Sequence, residues 1–497
     1  MSIFLGEGKE KYYLRGDKLN QHGIIAGATG SGKTVTLKVL CEELSDMGVP
    51  TFVSDVKGDL SNISKVGENN ENVEKRVKNL DLENFDFKSY PTNIWDVYGE
   101  KGIKLRVSLS ELGPLLLSQV LDLNETQEGI INIIFKYCDE NGLLLIDLKD
   151  LNQLIDYINE KREELSKKYG NITSSSLSAI KRKLLLLEEE GGNEFFGEPS
   201  CDVMDFIATN SEGRGYVNIL NSKKLINSPR LYSIFLIYLF SELFEKLPEI
   251  GNPEKPRIVF FFDEAHLLFK NISKALMEKI TQVVRLIRSK GVGIFFISQS
   301  PLDLPDEISS QLATKIIHQL RAFSPKEVKN LKDVAGSLRK NQDLNTEEEL
   351  QNLGTGFALV QSLDENGIPL PLEKVIIRPP HSSFKLLTDD EMTVIFKNSN
   401  LYGKYFEGLD RISAFEVLSE KIRQENAALE KAKKAEEEKK LREKEEKERE
   451  KAERALEKKR SKDLRYVNKG IDSMLGTITR TIGREIARGI LGSLRKR

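Results

Sequence analysis

The chain has 497 residues, of which 31% are charged, and a formal net charge of −2. Its length exceeds one ordinary domain, and its near-neutral charge lacks the basic excess typical of many nucleic-acid-binding proteins. Three widely spaced cysteines form no metal or disulfide pattern and suit a reducing compartment. The first residues do not resemble a signal peptide, and no apolar run approaches the roughly 20 residues of a membrane span. We therefore predict a cytoplasmic protein without a membrane span.

The first predicted elements are a strand at 23–26 and a helix that follows a glycine-rich segment. Residues 27–34 read Gly-Ala-Thr-Gly-Ser-Gly-Lys-Thr, a complete phosphate-binding loop in its strand–loop–helix setting. Backbone N–H groups of such a loop curl around an anion, and the helix adds its positive end. Lys33 is predicted to reach the β- and γ-phosphates, and Thr34 to ligate Mg²⁺. The predicted nucleotide-binding residues are Gly27, Ala28, Thr29, Gly30, Ser31, Gly32, Lys33, Thr34 and Val35.

A second strand is predicted at 50–55, and Asp55 and Asp59 follow it, where we expect them near the metal or its waters. About 200 residues then separate this start from the next acidic strand, more than a minimal core of this type needs. Helical spacing of apolar residues predicts that most of this excess is a helical insertion at 108–195. A strand near 215–219 and a long helix at 229–246 return to the core.

A five-residue apolar run ending at residue 262 predicts a strand that is buried on both faces, as in a parallel sheet. Asp263 and Glu264 follow it, at the edge where ligands bind in open α/β sheets. Asp263 is predicted to hold Mg²⁺ through water, and Glu264 to orient and deprotonate the attacking water. This pair favours hydrolysis over transfer to a small acceptor, which leaves a small-molecule kinase as a distant alternative.

A further helix is predicted at 271–290, and the apolar strand after it ends in Gln299. We expect Gln299 beside the γ-phosphate, where it would report whether that phosphate is present; an ordinary polar residue at a strand end is the alternative. Strands at 315–320 and 356–361 complete the predicted sheet.

The C-terminal part of the sequence changes character twice. Residues 421–465 are dominated by Glu, Lys, Arg and Ala, and they lack sustained apolar heptad positions, which favours a solvated single helix over an oligomerisation coil. Residues 466–497 form a basic amphipathic tail with apolar residues at helical spacing. Such a helix suits the protein's own body, a partner groove, a membrane surface or nucleic acid.

These patterns predict six segments along the chain. They are the N-terminal part of a P-loop ATPase core (1–107), a helical insertion (108–195), the C-terminal part of the core (196–385), a core-wrapping segment (386–420), a charged helical spacer (421–465) and a basic amphipathic tail (466–497).

The motifs together resemble the HerA/FtsK superfamily of P-loop motor ATPases, and more narrowly the bacterial HerA-like, YjgR-type proteins. The shared stretches include the phosphate-binding loop, Phe-Phe-Asp-Glu-Ala-His and Ile-Ser-Gln-Ser-Pro, and the likeness runs nearly end to end. It implies an α/β fold: a RecA-like core with a mainly parallel sheet, here with the helical insertion and a long charged C-terminal helix. It also implies ATP and Mg²⁺ as cofactors and a ring, most often a hexamer, with ATP sites between subunits.

In such rings a neighbouring subunit supplies an arginine to the γ-phosphate. Arg288 best matches the position of that arginine in the family, and Arg321 is the second candidate. One departure is that archaeal HerA proteins carry a β-barrel before the motor, whereas only residues 1–26 precede the phosphate loop here. The nuclease partnership of those proteins is therefore not implied.

The sequence thus predicts an ATP-hydrolysing, HerA-like ring motor, acting as a double-stranded DNA translocase or helicase. The alternative is a regulatory or scaffolding ATPase without DNA translocation. Its nucleotide cycle would control ring assembly and a protein or membrane partner of the C-terminal arm.

Overall fold

The computed structural model describes residues 1–251, 253–270 and 274–492. By internal packing the chain divides into two compact units, Met1–Leu418 and Ser419–Arg497, and the second is described as far as Gly492. No helix among the described residues combines the length and apolar character that crossing a bilayer demands.

The described residues contain twelve strands. They are β1 (Ser2–Glu7), β2 (Lys11–Arg15), β3 (Gly23–Ala26), β4 (Thr51–Asp55), β5 (Thr92–Asp96), β6 (Ile103–Lys104), β7 (Val217–Asn221), β8 (Ile258–Phe262), β9 (Val292–Ser298), β10 (Thr314–Ile317), β11 (Phe357–Gln361) and β12 (Glu373–Ile377).

Sixteen α-helices lie within the same described ranges. They are α1 (Lys33–Asp46), α2 (Glu71–Asn79), α3 (Leu109–Val120), α4 (Glu125–Asn141), α5 (Leu148–Glu160), α6 (Arg162–Tyr169), α7 (Ser174–Glu189), α8 (Gly192–Phe195), α9 (Pro229–Lys246), α10 (Lys274–Ile287), α11 (Asp306–Ser309), α12 (Pro325–Gly336), α13 (Thr346–Asn352), α14 (Asp389–Lys397), α15 (Tyr402–Tyr405) and α16 (Ala414–Gly492).

All twelve of these strands form one mixed sheet, in the order β2-β1-β12-β11-β10-β3-β9-β8-β4-β7-β5-β6. From β10 to β6 every neighbouring pair is parallel, whereas the pairs from β10 to β2 are antiparallel. The predicted α/β class with a mainly parallel sheet is therefore confirmed.

Helices cover both faces of the parallel centre, which explains why its strands are continuous apolar runs. On one face, Phe52 of β4 and Phe260 of β8 contact Phe235 and Phe240 of α9, with ring centroids 5.8 and 5.6 Å apart. On the other face, alternate residues such as Phe261 pack in one buried cluster with the apolar side of α1. The sheet therefore holds the start of α1 firmly at its carboxyl edge.

The predicted central strands and the helix at 229–246 are confirmed, and α10 with a short 3₁₀ turn at Arg288–Lys290 accounts for the helix predicted at 271–290. Residues 271–273 of that prediction lie outside the described residues. The β1–β2 hairpin and the strands β5, β6 and β12 were not predicted. They are short or alternate in burial, and β1 pairs with β12, which is more than 360 residues away in the sequence.

The segment at 378–383, which follows β12, is bound to α1 by hydrogen bonds and ion pairs of buried charged side chains. Glu42 of α1 accepts hydrogen bonds from the backbone N–H of His381 at 2.9 Å and from the hydroxyl of Ser382 at 2.6 Å. The guanidinium of Arg378 donates to Glu43 at 2.9 Å. Because both Glu42 and Arg378 are almost fully buried, these contacts fix the 378–383 segment on α1.

Helices α3 to α8 occupy residues 109–195, the range predicted as a helical insertion, and pack within the first unit. The start of α16 is anchored on Asp150 of α5, whose carboxylate accepts from the backbone N–H of Phe415 at 2.8 Å. From residue 423 to residue 483 every residue of α16 is exposed, including eight large hydrophobic residues from Leu464 to Ile482. The predicted tail continues to residue 497, and its residues 493–497 lie outside the described residues. The division into six segments stays a prediction.

Candidate active site

Sheet register aligns the ends of three neighbouring parallel strands. Ala26, the last residue of β3, pairs with Ser298 of β9, and Phe262 of β8 pairs with Phe296 of β9. Residues 27, 263 and 299, each the first after its strand, therefore lie at the same carboxyl edge, where open α/β sheets bind ligands.

Backbone contacts and glycines give the phosphate-binding loop its shape. The N–H of Gly27 donates to Ser298 O at 3.2 Å, and the N–H of Ala28 donates to Gln319 O at 2.8 Å. A Cβ at Gly27 would lie 2.6 Å from the Cβ of His318, and Gly32 has a φ of 117°, which few other residues adopt. These positions therefore require glycine for packing and backbone reasons alone.

Lys33 begins α1, and its ammonium lies inside the loop that precedes it. Its Nζ donates to the carbonyl of Gly27 and to that of Ala28, the latter at 3.1 Å. Burial, and then the nearby charge of Lys57, lower the pKa of Lys33. Thr34 and Val35 are half-buried in the first turn of the helix. The loop carbonyls thus hold this cation where a phosphate would accept it.

His318 supports the loop from beneath and was not singled out in the sequence. Its Nδ1 donates to the carbonyl of Phe357 at 2.8 Å, so its Nε2 accepts from the hydroxyl of Thr36 at 2.9 Å. Burial lowers the pKa of His318 to about 4. The neutral ring therefore joins β10, β11 and α1, and the signal that could have found it was its place directly after a buried strand.

Asp263 and Glu264 are both largely buried. Burial raises the pKa of Asp263. Burial also tends to raise the pKa of Glu264, but Lys57, His266 and Lys33 together outweigh it and the pKa is lowered. Glu264 adopts a φ of 47°, a strained left-handed conformation for a residue with a side chain. Its buried Oε2 makes no hydrogen bond to any described residue and lies 3.6 Å from His266 Nδ1.

Lys57 enters this site although the sequence patterns did not predict it. Its Nζ lies 3.0 Å from Glu264 Oε1 and 3.8 Å from Asp263 Oδ2. Asp55, which we expected near the metal, accepts hydrogen bonds from the N–H groups of Gly58 and Leu60 at 2.7 and 3.0 Å. Burial raises the pKa of Asp55 to about 6. Asp55 thus shapes the turn that carries Lys57, and the expectation that Asp55 and Asp59 act near a metal stays a prediction.

Gln299 follows β9 and Arg321 follows β10, the two strands that flank β3. Both are exposed, and with Ala28 and Thr29 they line a cavity of about 440 Å³. Beneath Gln299, Asp303 accepts hydrogen bonds from the hydroxyl of Ser298 and the N–H of Ser300, both at 2.7 Å. The turn after β9 is thereby fixed beside the loop.

Arg288 lies at the opposite edge of the sheet, before β9 begins. The seven residues of β9 span roughly 20 Å, and the backbone carbonyl of Arg288 accepts from Asn20, which precedes β3. Arg288 therefore does not reach the phosphate-binding loop of the same chain.

The residues at the carboxyl edge suit a nucleotide with Mg²⁺. The loop forms a glycine cradle with a cation at its base, and oxygen donors of the kind that Mg²⁺ prefers, Thr34 and Asp263, belong to the neighbouring elements. The buried Oε2 of Glu264, which accepts no hydrogen bond from any described residue, supplies an acceptor for a water.

Comparison with known proteins agrees with this geometry. The family model described as "Helicase HerA-like C-terminal" matches residues 3–497. The DNA double-strand break repair helicase HerA of Sulfolobus acidocaldarius is 25% identical over 369 residues, 70% of this chain and 63% of that protein. Its counterpart from Sulfurisphaera tokodaii is 24% identical over 357 residues, with the same two shares. The chain thus spans less than two thirds of the length of these curated relatives.

Among solved structures, the bacterial conjugative coupling protein TrwB in an unbound form superposes with a TM-score of 0.51 at 14% identity. The match covers 76% of this chain and 91% of that one. At this identity the likeness concerns the fold alone.

Proposed function

The chain belongs to the family described as "Helicase HerA-like C-terminal", and from this premise we propose that it is an ATP-hydrolysing ring motor that moves on double-stranded DNA. The observation that carries the proposal is the register that places the phosphate-binding loop, Asp263 with Glu264, and Gln299 at one edge of the sheet. Hydrolysis needs a phosphate cradle, a metal ligand and a water base together at such an edge.

Each residue at this edge has a proposed role. The loop N–H groups and Lys33 hold the phosphates, and Thr34 and Asp263 hold Mg²⁺, which supplies positive charge against the phosphate oxygens. Glu264, a carboxylate at this edge of the sheet, takes the proton of the attacking water. Gln299 lies beside the loop, where it would contact the terminal phosphate.

The position of Arg288 supports assembly into a ring. An exposed arginine at the amino edge serves no site in its own subunit, so we assign Arg288 to the γ-phosphate of a neighbouring one, as in a hexamer. Arg321 lines the cavity beside its own loop and is the second candidate. A homo-hexamer, a protein partner of the C-terminal arm and a cytoplasmic location all stay proposals.

Double-stranded DNA is the proposed substrate because the curated relatives are named as DNA double-strand break repair helicases. The test is the steady-state ATPase rate with and without linear duplex DNA at low and moderate salt. Glu264→Gln serves as the blank, and Glu307→Gln, the same change at an exposed position on α11, is the matched control. We expect DNA to stimulate turnover about tenfold or more, with less stimulation at higher salt because phosphate contacts release counterions.

Equal rates with and without DNA, at concentrations where rings form, would exclude the DNA motor. The exposed, highly charged α16 favours the second candidate, a regulatory or scaffolding ATPase. That function predicts DNA-independent turnover and a dominant effect of removing residues 421–497. Comparing the full chain with a chain that ends at residue 420 therefore separates the two candidates.

A further inference from the structure

We propose that Lys57 is a positioning residue, which holds Glu264 in an idle arrangement until nucleotide and Mg²⁺ displace its ammonium group. This inference rests on the proposed ATPase function and adds a residue that the sequence motifs do not contain. Three observations lead to it: a turn that fixes the backbone of Lys57, a contact to both acids, and a competition of charge.

The turn after β4 fixes the backbone position of Lys57. β4 and β8 are neighbours, with Ser54 paired to Phe262, so the turn at 55–60 lies beside Asp263. Both oxygens of the buried Asp55 accept backbone N–H groups of this turn. An Asp that bonds the backbone a few residues on fixes a tight turn. The backbone of Lys57 is therefore held in a defined position next to Asp263 and Glu264.

The side chain, in contrast, is the movable partner of this cluster. The Lys57 side chain is 40% exposed, whereas those of Glu264 and Asp263 are 12% and 9% exposed. Its Nζ is 3.0 Å from Glu264 Oε1, and the other oxygen of Glu264 is buried without a hydrogen bond to any described residue. A long lysine stem moves its ammonium by rotating several bonds, while the buried carboxylates stay in place.

Competition between positive charges determines whether Lys57 stays in contact with Glu264 and Asp263. The ammonium lies 3.8 Å from Asp263 Oδ2, the carboxylate to which we assign Mg²⁺. A divalent cation and an ammonium repel each other in a largely buried site, so Mg²⁺ binding and the Lys57 contacts compete for the same acids. While Lys57 holds Glu264, that carboxylate is engaged with a cation and is a weaker proton acceptor. Displacement of Lys57 frees Glu264 for the water.

The test compares Lys57→Met with Lys57→Arg, which keeps the charge, in the full chain. Lys223→Met is the matched control, because Lys223 is exposed and lines the same cavity of about 540 Å³ as Lys57. Two quantities are measured: ATP turnover at saturating ATP without DNA, and the Mg²⁺ concentration at half-maximal binding of a fluorescent non-hydrolysable ATP analogue. The second readout needs no hydrolysis.

We expect Lys57→Met to raise DNA-free turnover and to lower the half-maximal Mg²⁺ concentration, each about fivefold or more, since an energetic coupling of ordinary size is removed. Lys57→Arg and Lys223→Met should stay near the parent chain. A fall in turnover with an unchanged Mg²⁺ requirement would overturn the proposal, and so would no change in either quantity. If the parent chain and Glu264→Gln hydrolyse ATP equally, the proposed function fails, and the Mg²⁺ titration still decides the role of Lys57.

Discussion

Helix α1 carries two buried lysines, five residues apart, in different surroundings. At its start, Lys33 donates to the carbonyls of the loop that would hold phosphate. In its middle, Lys38 donates to Asn62 Oδ1 at 2.8 Å and to the carbonyl of Ser383 in the 378–383 segment. Burial lowers the pKa of both lysines, that of Lys38 to about 8.

The difference between the two lysines separates function from structure along one helix. The acid whose charge acts most on Lys38 is Glu42, which holds the 378–383 segment on α1. The acids whose charges act on Lys33 are Glu264, Asp263 and Asp303, which all belong to the candidate site or to the turn beside it. A buried cation without a carboxylate of its own is costly for the fold. Lys33 therefore indicates an anion that arrives from solution, whereas Lys38 has its partners within the chain.

The largest expected effect concerns the structural side of this comparison. Arg378→Met should lower the free energy of unfolding by about 3–5 kcal/mol, because it removes a buried guanidinium that is paired with Glu42 and Glu43. Urea unfolding measures the change, and ATP turnover per folded molecule should stay within about twofold because Arg378 touches no active-site residue named above. Arg411→Met, which removes a solvent-exposed guanidinium from its pair with Glu198, is the matched control and should change the free energy of unfolding far less. Equal costs for the two variants would contradict the assignment.

Replacement of Lys33 should have the opposite result, with reduced ATP turnover and undiminished stability. Lys33→Met is expected to reduce ATP turnover about 10²–10³-fold, since a preorganised charge at the phosphates is removed. Its free energy of unfolding should be unchanged or higher, because an apolar side chain replaces a buried ammonium that has no dedicated acid. Steady-state kinetics and urea unfolding of the same preparation measure both. A strongly destabilised but active variant would refute the distinction.

The contribution of His318, which supports the phosphate-binding loop, should appear in the pH dependence of the free energy of unfolding. The folded-state pKa of His318 is about 4, below its ordinary value of 6.5, so its contribution is present above pH 6.5 and lost as the pH falls towards 4. The loss amounts to up to about 3 kcal/mol. Burial also lowers the pKa of His22 to about 4, so its contribution to stability is likewise lost as the pH falls. The pKa of Asp55 is raised, so its contribution is lost as the pH rises.

Comparison of the parent chain with His318→Gln isolates the His318 contribution. Urea unfolding at several pH values between 4.5 and 7 should give a shallower dependence for the variant. Parallel curves for the two proteins would mean that the ring is not held neutral by its burial.

The smallest expected effect belongs to the second lysine. Lys38→Met should cost about 1–3 kcal/mol, because Asn62 and the carbonyl of Ser383 lose their buried donor. Turnover should persist, in contrast with Lys33→Met on the same helix. If both variants abolish hydrolysis equally, the start and the middle of α1 do not have separate tasks.

The sequence predicts the centre of the sheet far better than its antiparallel side. Strands such as β8 are buried on both faces and therefore read as unbroken apolar runs. β2 alternates between buried and exposed residues over only five positions, and β12 pairs with β1 from the far end of the core. Neither a short alternation nor a distant partner is visible in a local pattern.

The candidate site divides in the same manner. The phosphate-binding loop, Asp263, Glu264 and Gln299 follow strands with clear patterns, and they stand together at one edge. Lys57 and His318 were missed, because what makes them part of the site is the pairing of strands from distant parts of the chain. Arg288 and Arg321 fall at opposite edges, and no pattern along one chain tells which subunit an arginine serves.

The sheet order also determines at what point of its synthesis the chain can complete the candidate site. β3, which leads into the phosphate-binding loop, has β9 and β10 as its neighbours, and these end nearly 300 residues later. A ribosome adds roughly 5–20 residues per second, so the loop waits for tens of seconds without the strands on either side of it. The locally connected helices at 109–195 have no such delay. A half-made chain therefore exposes a loop that lacks its supporting His318 and the proposed water base Glu264, so the proposed nucleotide turnover would begin only once the core has been translated.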